Sequence, residues 1–324
     1  MKKYLHTGIL IVILLLSGFL LWRHSVQTRV SHEVVRVADV GAIAWVPFQV
    51  GLEKGFFADE GLSISIVSVQ TGDESLKALL SNSVDISLAG IIPYSFVALD
   101  HPEIQVLALN TFAKDNQIIA RKDSGVSRPE DLIGKKIGYS KTTASDIGVE
   151  FFLKNHGITK GQVTLIPMKP FAMPVALATG EIDAYSSWEP NIINGKKLLD
   201  TRAILFNDVL STYTWHGSLM ANKTYIESHH SSVLAFLRAW KKSAQFTKDN
   251  PTEAIAIASA YTKIPAEALK QIWSRYDFVA NPSPEEVVSI LRTDLLWANL
   301  HRANPLATIP DPVTLLANIN ESKI

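Results

Sequence analysis

A helix–turn–strand pattern occurs twice in this chain, at residues 78–85 and again 98 positions later at residues 176–183. Each copy has the features of an amphipathic helix end, a tight polar turn and a short strand that carries Asp85 or Asp183. Aspartate in such turns bonds to nearby backbone amides, so we expect both carboxylates to be structural. One unit used twice predicts two similar α/β lobes, although such units are common enough for chance to be the alternative.

Strand and helix patterns alternate on both sides of residue 116. The first set has strands at 34–40, 63–69 and 84–89 and helices at 47–57 and 73–80. The second set has strands at 117–121, 163–166 and 182–186, a short helix followed by a strand within 128–139, and helices at 144–156 and 170–179. A returning strand at 212–222 and a helical region from residue 231 follow. This alternation predicts an α/β fold built from βαβ units with parallel strands.

The N-terminus has the pattern of a targeting segment. Lys2 and Lys3 precede an apolar stretch that runs from residue 8 to residue 22, as in an export signal. The small residues of a cleavage site are missing, because residues 20–23 are Leu, Leu, Trp and Arg. Residues 1–30 are therefore either a cleaved signal peptide or a membrane anchor formed by residues 4–22. The rest of the chain is expected in the periplasm or at the outer face of the cytoplasmic membrane.

Composition excludes several classes of function. The 324 residues include 31 basic and 31 acidic ones, so the chain lacks the excess of positive charge that is typical of nucleic-acid-binding proteins. The chain has no cysteine, which excludes disulfides, thiolate zinc sites, a cysteine nucleophile and a lipid-modified N-terminal cysteine. A Gly-rich phosphate-binding motif is absent as well. We expect no cofactor and no metal, and the sequence shows no nucleophile–base pair of an enzyme.

Four segments resemble one family of bacterial transport proteins. Residues 45–62 begin with Trp and continue through a helical stretch to Gly-x-Phe and Gly-Leu pairs. Residues 131–137, 180–184 and 188–190 follow in matching order, and the last of them spell Trp-Glu-Pro. Over residues 34–245 the chain resembles the nitrate/sulfonate/taurine and thiamine-precursor (SsuA/THI5-like) substrate-binding proteins of bacterial ABC importers.

The resemblance implies both a fold and a role. The fold is the type II periplasmic-binding-protein fold, with two α/β lobes of mixed sheets, two hinge crossovers and a ligand cleft between the lobes. In this chain residues 31–118 would form the first lobe, residues 119–216 the second lobe, and residues 217–324 the return to the first. The implied role is that of a monomer that delivers a small molecule to permease and ATPase subunits. The chain departs from the family in lacking a lipoprotein cysteine and a clear cleavage site.

Ligands of open parallel sheets bind beyond the carboxyl ends of the strands. That rule selects five loops here, at 41–45, 70–72, 90–94, 141–145 and 185–189, and the resemblance implies the same loops. From these loops and the returning strand we predict the following ligand-binding residues: Trp45, Gln70, Thr71, Gly90, Ile91, Tyr94, Thr142, Thr143, Ser145, Trp188, Glu189 and Trp215.

Hydroxyl groups are concentrated in the fourth of these loops. Thr142, Thr143 and Ser145 stand where a helix begins, so their hydroxyls and free N–H groups suit sulfonate, carboxylate or phosphate oxygens. The alternative is simple capping, with Thr143 as N-cap and Asp146 reaching back. Two acidic residues at 73–74 begin the corresponding helix of the first lobe, which makes the second lobe the better host for an anion.

Aromatic residues predict the walls of the site. Trp45, Tyr94, Trp188 and Trp215 suit a methylene chain, a heterocycle or a cation, although ordinary core packing is the alternative for each. Glu189 suits a ligand ammonium or ring N–H, and its alternative is a solvated carboxylate near the hinge. The sequence does not separate a core aromatic residue from a wall of the site.

Three functions follow from these observations. The first, which we favour, is binding of a sulfonate- or taurine-like solute, or in the same role of a thiamine-precursor pyrimidine or another heterocycle. The second is a membrane-tethered sensory ligand-binding domain, motivated by the missing cleavage site. The third is an enzyme on the same fold, which the absence of cysteine disfavours because the pyrimidine-synthesising and pyrrole-polymerising relatives rely on cysteine.

Overall fold

The computed structural model describes residues 33–208, 213–279 and 282–319. The predicted signal or anchor at residues 1–30 lies outside the described residues. Within the described ranges, none of the helices combines the length and the apolar character needed to span a bilayer.

Eleven strands of the described chain form two sheets. Those of the first sheet are β1 (Glu33–Asp39), β2 (Leu62–Ser68), β3 (Ile86–Gly90), β4 (Ile104–Ala113), β10 (Trp215–Asn222) and β11 (Tyr276–Asp277). Those of the second sheet are β5 (Gln117–Arg121), β6 (Lys136–Tyr139), β7 (Thr164–Pro167), β8 (Ala184–Ser187) and β9 (Ala203–Phe206).

The two sheets repeat one strand arrangement. The first has the order β11-β4-β10-β3-β1-β2 and the second has the order β7-β6-β8-β5-β9. Parallel pairs occur in both, β1 with β3 and β6 with β7 and β8. Next to them lies an antiparallel strand, β10 in the first sheet and β5 in the second. The predicted α/β fold with two lobes of mixed sheets is confirmed.

Twelve α-helices of the described chain pack around the sheets. They are α1 (Val46–Glu53), α2 (Phe56–Asp59), α3 (Gly72–Leu80), α4 (Ile91–Ala98), α5 (Ala144–Asn155), α6 (Met173–Thr179), α7 (Asn191–Leu199), α8 (Lys223–Ser228), α9 (His230–Asp249), α10 (Pro251–Thr262), α11 (Ala266–Ile272) and α12 (Pro284–His301). The predicted single helix at 47–57 is wrong, because Gly55 adopts a left-handed φ of 74° between α1 and α2 and so ends the first helix.

The two copies of the repeated pattern occupy equivalent places, in front of β3 and β8. In the first sheet the backbone N–H of Arg36 donates to Asp85 Oδ2 at 2.8 Å. In the second, the N–H of Lys136 donates to Asp183 Oδ2 at 3.0 Å. Asp85 thus ties the start of β3 to β1 and Asp183 ties the start of β8 to β6, and the predicted structural role is confirmed for both.

The crossovers lie close to the lobe limits that the sequence suggests. Strand β5 of the second sheet begins at Gln117 and strand β10 of the first sheet begins at Trp215. Both starts are within a few residues of the limits placed after residues 118 and 216. The limits themselves stay predictions.

A cluster of phenylalanines anchors the segment that leads into the cleft. Phe48 of α1, Phe57 of α2 and Phe236 of α9 are fully buried. The ring centroids lie 5.6 Å apart for Phe48 and Phe57 and 5.0 Å apart for Phe57 and Phe236, within the range of favourable aromatic contacts. Trp45 immediately precedes α1, so its position is fixed by this core.

Candidate ligand-binding site

A cavity of about 50 Å³ lies where strands of both sheets end. Its lining includes Val40 after β1, Gly90 at the end of β3, Thr143 after β6 and Trp188 after β8. These are the carboxyl ends of parallel strands, which is where ligands bind in sheets of this kind. The volume holds only a few water molecules, so the cavity suits a small solute.

Two glycines form a flat floor under one side of the cavity. Gly90 of β3 lies opposite Gly217 of β10 in the strand pairing. A Cβ atom at Gly90 would lie 2.5 Å from Nε1 of Trp215, and one at Gly217 would lie 3.1 Å from the ring of Trp45. A side chain at Gly90 would displace the Trp215 ring, and one at Gly217 would press against both indoles, so the absence of a Cβ atom allows both rings to lie against the strands.

Three tryptophans surround the cavity. Trp45 and Trp215 from the first lobe meet edge to face, with ring centroids 5.6 Å apart and planes at 73°. Trp45 is backed in turn by Trp240, whose ring centroid is 6.4 Å away. Trp188 lines the cavity from the second lobe. The walls are therefore large, apolar and rigid, and they come from both lobes.

Three helices begin at the cavity. Gly72 starts α3, Gly90 caps α4, and Thr143 caps α5, and all three residues belong to the lining. The N-terminal turn of a helix presents unpaired N–H groups and the positive end of the helix dipole. Three such ends at one cavity favour a negatively charged ligand group there.

Asp115 introduces a carboxylate into this apolar cavity. It lies in the crossover between β4 and β5 and is only 7% exposed. The hydroxyl of Tyr276 donates to its Oδ2 at 2.7 Å. Burial raises the pKa of Asp115 to about 6, against the opposing effects of the Tyr276 hydrogen bond and the charge of Arg275. Its negative charge is therefore only partly compensated by the protein.

The profile of the NMT1/THI5-like family matches residues 43–254, which is more than half of the chain. The chain belongs to this family. The resemblance noted from the sequence is thus confirmed, and the matched region includes the whole second sheet, part of the first and almost all of the cavity lining.

Two curated relatives of this family member are named as binding proteins. One, from Bacillus subtilis (strain 168), is named for aliphatic sulfonates and is 26% identical over 220 residues, covering 66% of this chain and 65% of the relative. The other is the taurine-binding periplasmic protein of Escherichia coli (strain K12), 27% identical over 198 residues, with 60% of each chain covered. The matches therefore span less than two thirds of either relative.

The fold of this family member is shown by solved structures. The periplasmic aliphatic sulphonate binding protein SsuA from Escherichia coli superposes with a TM-score of 0.74. It is 18% identical, and the match covers 88% of this chain and 97% of that one. The type II periplasmic-binding-protein fold predicted for the chain is confirmed.

Five of the predicted site residues come together in this NMT1/THI5-like protein. They are the cavity-lining residues Trp45, Gly90, Thr143, Trp188 and Trp215. Their contact with a ligand stays a prediction, because lining the same cavity does not by itself show that a residue binds a ligand. Sequence reasoning missed Asp115, which lies in none of the five predicted loops, and it assigned no role to the small apolar lining residues Val40, Ala44, Ala89 and Pro93.

The hydroxyl loop is used mainly by the scaffold. Thr143 caps α5 by accepting from the N–H of Ser145 at 3.2 Å, and its hydroxyl donates to Ser140 O at 2.7 Å. The buried hydroxyl of Ser145 donates to Ser186 O at 2.6 Å. Asp146 accepts from the N–H of Thr142 at 2.9 Å. Of the two readings of this loop, capping is the one that the hydrogen bonds support, and neither Thr142 nor Ser145 is part of the cavity lining.

Glu189 lies behind the cavity rather than in its lining. The residue is 2% exposed, and its Oε2 accepts from the N–H of Ile193 at 2.9 Å. Burial raises its pKa to about 7, and the charge of Asp115 acts in the same direction. Its Oε1 is 3.9 Å from Nη1 of Arg275, which also donates to Gln117 at 2.8 Å. Glu189 is thus part of a polar network at the crossover.

Four further predicted residues lie outside the lining. Tyr94 is fully buried in the core and donates to Ile104 O at 2.8 Å, so the prediction of an aromatic wall is wrong for this residue. Ile91 is also fully buried in that core. Thr71 caps α3 by accepting from Glu74 N at 3.2 Å, and Gln70 donates its N–H to the Glu74 carboxylate.

One ion pair and one histidine–carboxylate contact join the lobes. Lys169 Nζ, which follows β7, lies 2.7 Å from Oε1 of Glu74 in α3. His301 Nε2 in α12 lies 2.8 Å from Oε2 of Glu150 in α5. The Lys169 hydrogen bond is the main cause that lowers the pKa of Glu74. Glu74 is therefore neutralised locally, and its expected repulsion of an anion at the start of α3 is reduced.

Proposed function

We propose that the chain is the extracytoplasmic solute-binding protein of an ABC importer and that it binds a small sulfonate- or taurine-like solute. The observation that carries this proposal is one small cavity that both lobes build, with three helix N-termini and three tryptophans at its surface. The names of the two curated relatives support the class of ligand. The partners would be the permease and ATPase subunits of the importer.

The chemistry of the cavity favours an acidic group on an organic solute. Helix N-termini stabilise an anion through N–H donors and the dipole without a basic side chain. Tryptophan faces and edges suit the methylene groups that link such an acid to the rest of the solute. A thiamine-precursor pyrimidine in the same role is the alternative, since its ring also suits these walls.

Closure of the two lobes would couple binding to delivery. The cavity needs residues of both lobes, and the Lys169–Glu74 and His301–Glu150 pairs form only when the lobes are together. A ligand that touches both walls therefore favours the closed arrangement, as in other hinge-bending proteins. Binding without conversion is part of the proposal, since the fold alone does not distinguish a binding protein from an enzyme.

Calorimetry and a turnover assay test the proposal. The purified protein is titrated with taurine, ethanesulfonate and an aminomethylpyrimidine, and each mixture is then followed by NMR for chemical conversion. We expect saturable binding of at least one sulfonate and no product. Tight binding of the pyrimidine alone would contradict the sulfonate class, and product formation would contradict the role of a binding protein. N-terminal sequencing of the mature protein separates a cleaved signal from an anchor.

Replacement of Trp188 tests the wall contributed by the second lobe. We expect Trp188→Ala to weaken binding of the ligand found by calorimetry by about 1–2 kcal/mol, or roughly 5- to 30-fold, the contribution of a partly buried aromatic contact. Trp273→Ala is the matched control, because Trp273 is also half-buried but lies outside the cavity lining. Equal affinity for wild type and a folded Trp188→Ala variant would place the ligand elsewhere.

A further inference from the structure

The charge of the cavity is concentrated on one residue. Among the described residues that form its lining, Asp115 is the only one with a charged side chain. The others are apolar or small, apart from the hydroxyl of Thr143 and the indole N–H groups. A solute in this cavity therefore meets a carboxylate on the crossover as well as the positive ends of three helices.

The charge of Asp115 is only partly balanced by its protein neighbours. Arg275 is the cation next to it, but Arg275 also faces Glu189 at 3.9 Å and donates to the Gln117 side chain at 2.8 Å. Two buried carboxyl groups, Asp115 and Glu189, thus share one guanidinium. Burial raises the pKa of both, to about 6 and about 7, as expected where negative charge lacks a partner.

The surroundings of Asp115 suit an ammonium group. Tryptophan rings attract a cation to their faces, and three of them line the same cavity. A carboxylate inside an apolar site pairs strongly with a cation because little water competes. The helix N-termini, by contrast, disfavour a second cation and favour an anion. Asp115 therefore favours a cationic group and the helix N-termini favour an anionic group, and one small molecule that carries both would satisfy them.

We propose that Asp115 determines specificity by binding a protonated amine, so that the ligand is a small zwitterion with an acidic group and an amine rather than a simple organic acid. The proposal rests on the proposed function and narrows it to the amine-bearing members of the ligand class. It replaces Glu189, which lies behind the cavity, as the partner of the amine.

Matched pairs of ligands test this proposal by calorimetry. Each pair has one acidic group and differs by the amine: taurine with ethanesulfonate, β-alanine with propionate, and 2-aminoethylphosphonate with ethylphosphonate. We expect wild type to bind the amine-bearing member of at least one pair about tenfold more tightly or better, the usual size of a charge-assisted contact. In Asp115→Asn this preference should fall to less than about threefold, while affinity for the amine-free member changes little.

Asp294→Asn is the matched control, because Asp294 is also a buried carboxyl group but lies outside the lining. It should retain the preference for the amine. Equal affinity of wild type for both members of a bound pair would overturn the inference and leave solute binding intact. An equal loss for both members in Asp115→Asn would assign the residue a structural role and also overturn it. Binding of no pair at all would contradict the proposed ligand class itself.

Discussion

Gly90→Val is expected to weaken ligand binding by at least about 100-fold while the protein stays folded. A Cβ atom at this position would lie 2.5 Å from Nε1 of Trp215, so the indole has to leave its place against the strand. Trp215 then either occupies the cavity or loses its contact with Trp45. Overpacking of this kind lowers the stability of the fold by roughly 1–3 kcal/mol, and binding loses both an ordered aromatic wall and the space that the displaced ring occupies.

The experiment compares Gly90→Ala, Gly90→Val and Gly161→Val by calorimetry and circular dichroism. A Cβ atom at Gly161 would meet no heavy atom within 4 Å, and Gly161 has no positive φ, so the same substitution there should leave affinity unchanged. We expect Gly90→Ala to fall between wild type and Gly90→Val. Wild-type affinity in a folded Gly90→Val protein would show that the floor formed with Gly217 does not shape the site.

Asp294→Asn is expected to stabilise the protein at pH 8 by about 2 kcal/mol. Asp294 lies in α12 with 6% exposure, and its Oδ2 has no hydrogen-bond partner among the described residues. Burial raises its pKa to about 7. At pH 8 the folded state must hold an uncompensated buried carboxylate, and the amide removes that charge while keeping the shape of the side chain.

The sign of the pH dependence follows from the same shift. The ordinary pKa of Asp294 is 3.8 and the folded value is about 7, so the folded state retains a proton that the unfolded chain releases between those values. The free energy of unfolding therefore falls as pH rises through that window. The stabilisation by Asp294→Asn should be largest above pH 7 and should disappear near pH 4.

Thermal unfolding at pH 4, 6 and 8 measures this effect. We expect the Tm of Asp294→Asn to exceed that of wild type by roughly 5 °C at pH 8. Glu181→Gln removes a carboxylate from an exposed position and serves as the control, with little change at any pH. Burial also raises the pKa values of Glu189 and Asp115, so the Tm of the variant should still fall somewhat as pH rises. A Tm difference that does not depend on pH would contradict the explanation.

Much of the scaffold could be predicted because its signals are local. Alternation of apolar residues marked the strands, and the two aspartates of the repeated pattern bond to backbone at equivalent places in both lobes. The loops at strand ends were also predictable, since the direction of parallel strands determines where they meet. Trp45, Thr143 and Trp188 were found in this way, and Trp215 was found at the start of the returning strand.

Residues whose role depends on distant contacts were not predictable. Asp115 is significant because Tyr276, 161 positions later, bonds to it and because the cavity lies beside it. Pro93 and Tyr94 are adjacent in the first turn of α4, yet Pro93 lines the cavity and Tyr94 is in the core. Successive residues point about 100° apart on a helix. Which of the two side chains faces the cavity therefore depends on the orientation of the helix, and the sequence does not show that orientation.

The central position of β10 has a consequence for the order in which the lobes are completed. Every strand of the second sheet lies between residues 117 and 206, so that sheet can close as soon as this stretch is free to fold. The first sheet at that time lacks Trp215–Asn222, the strand that separates β3 from β4. Since domains form as contiguous chain becomes available, the inserted lobe is expected to fold while its host is still incomplete.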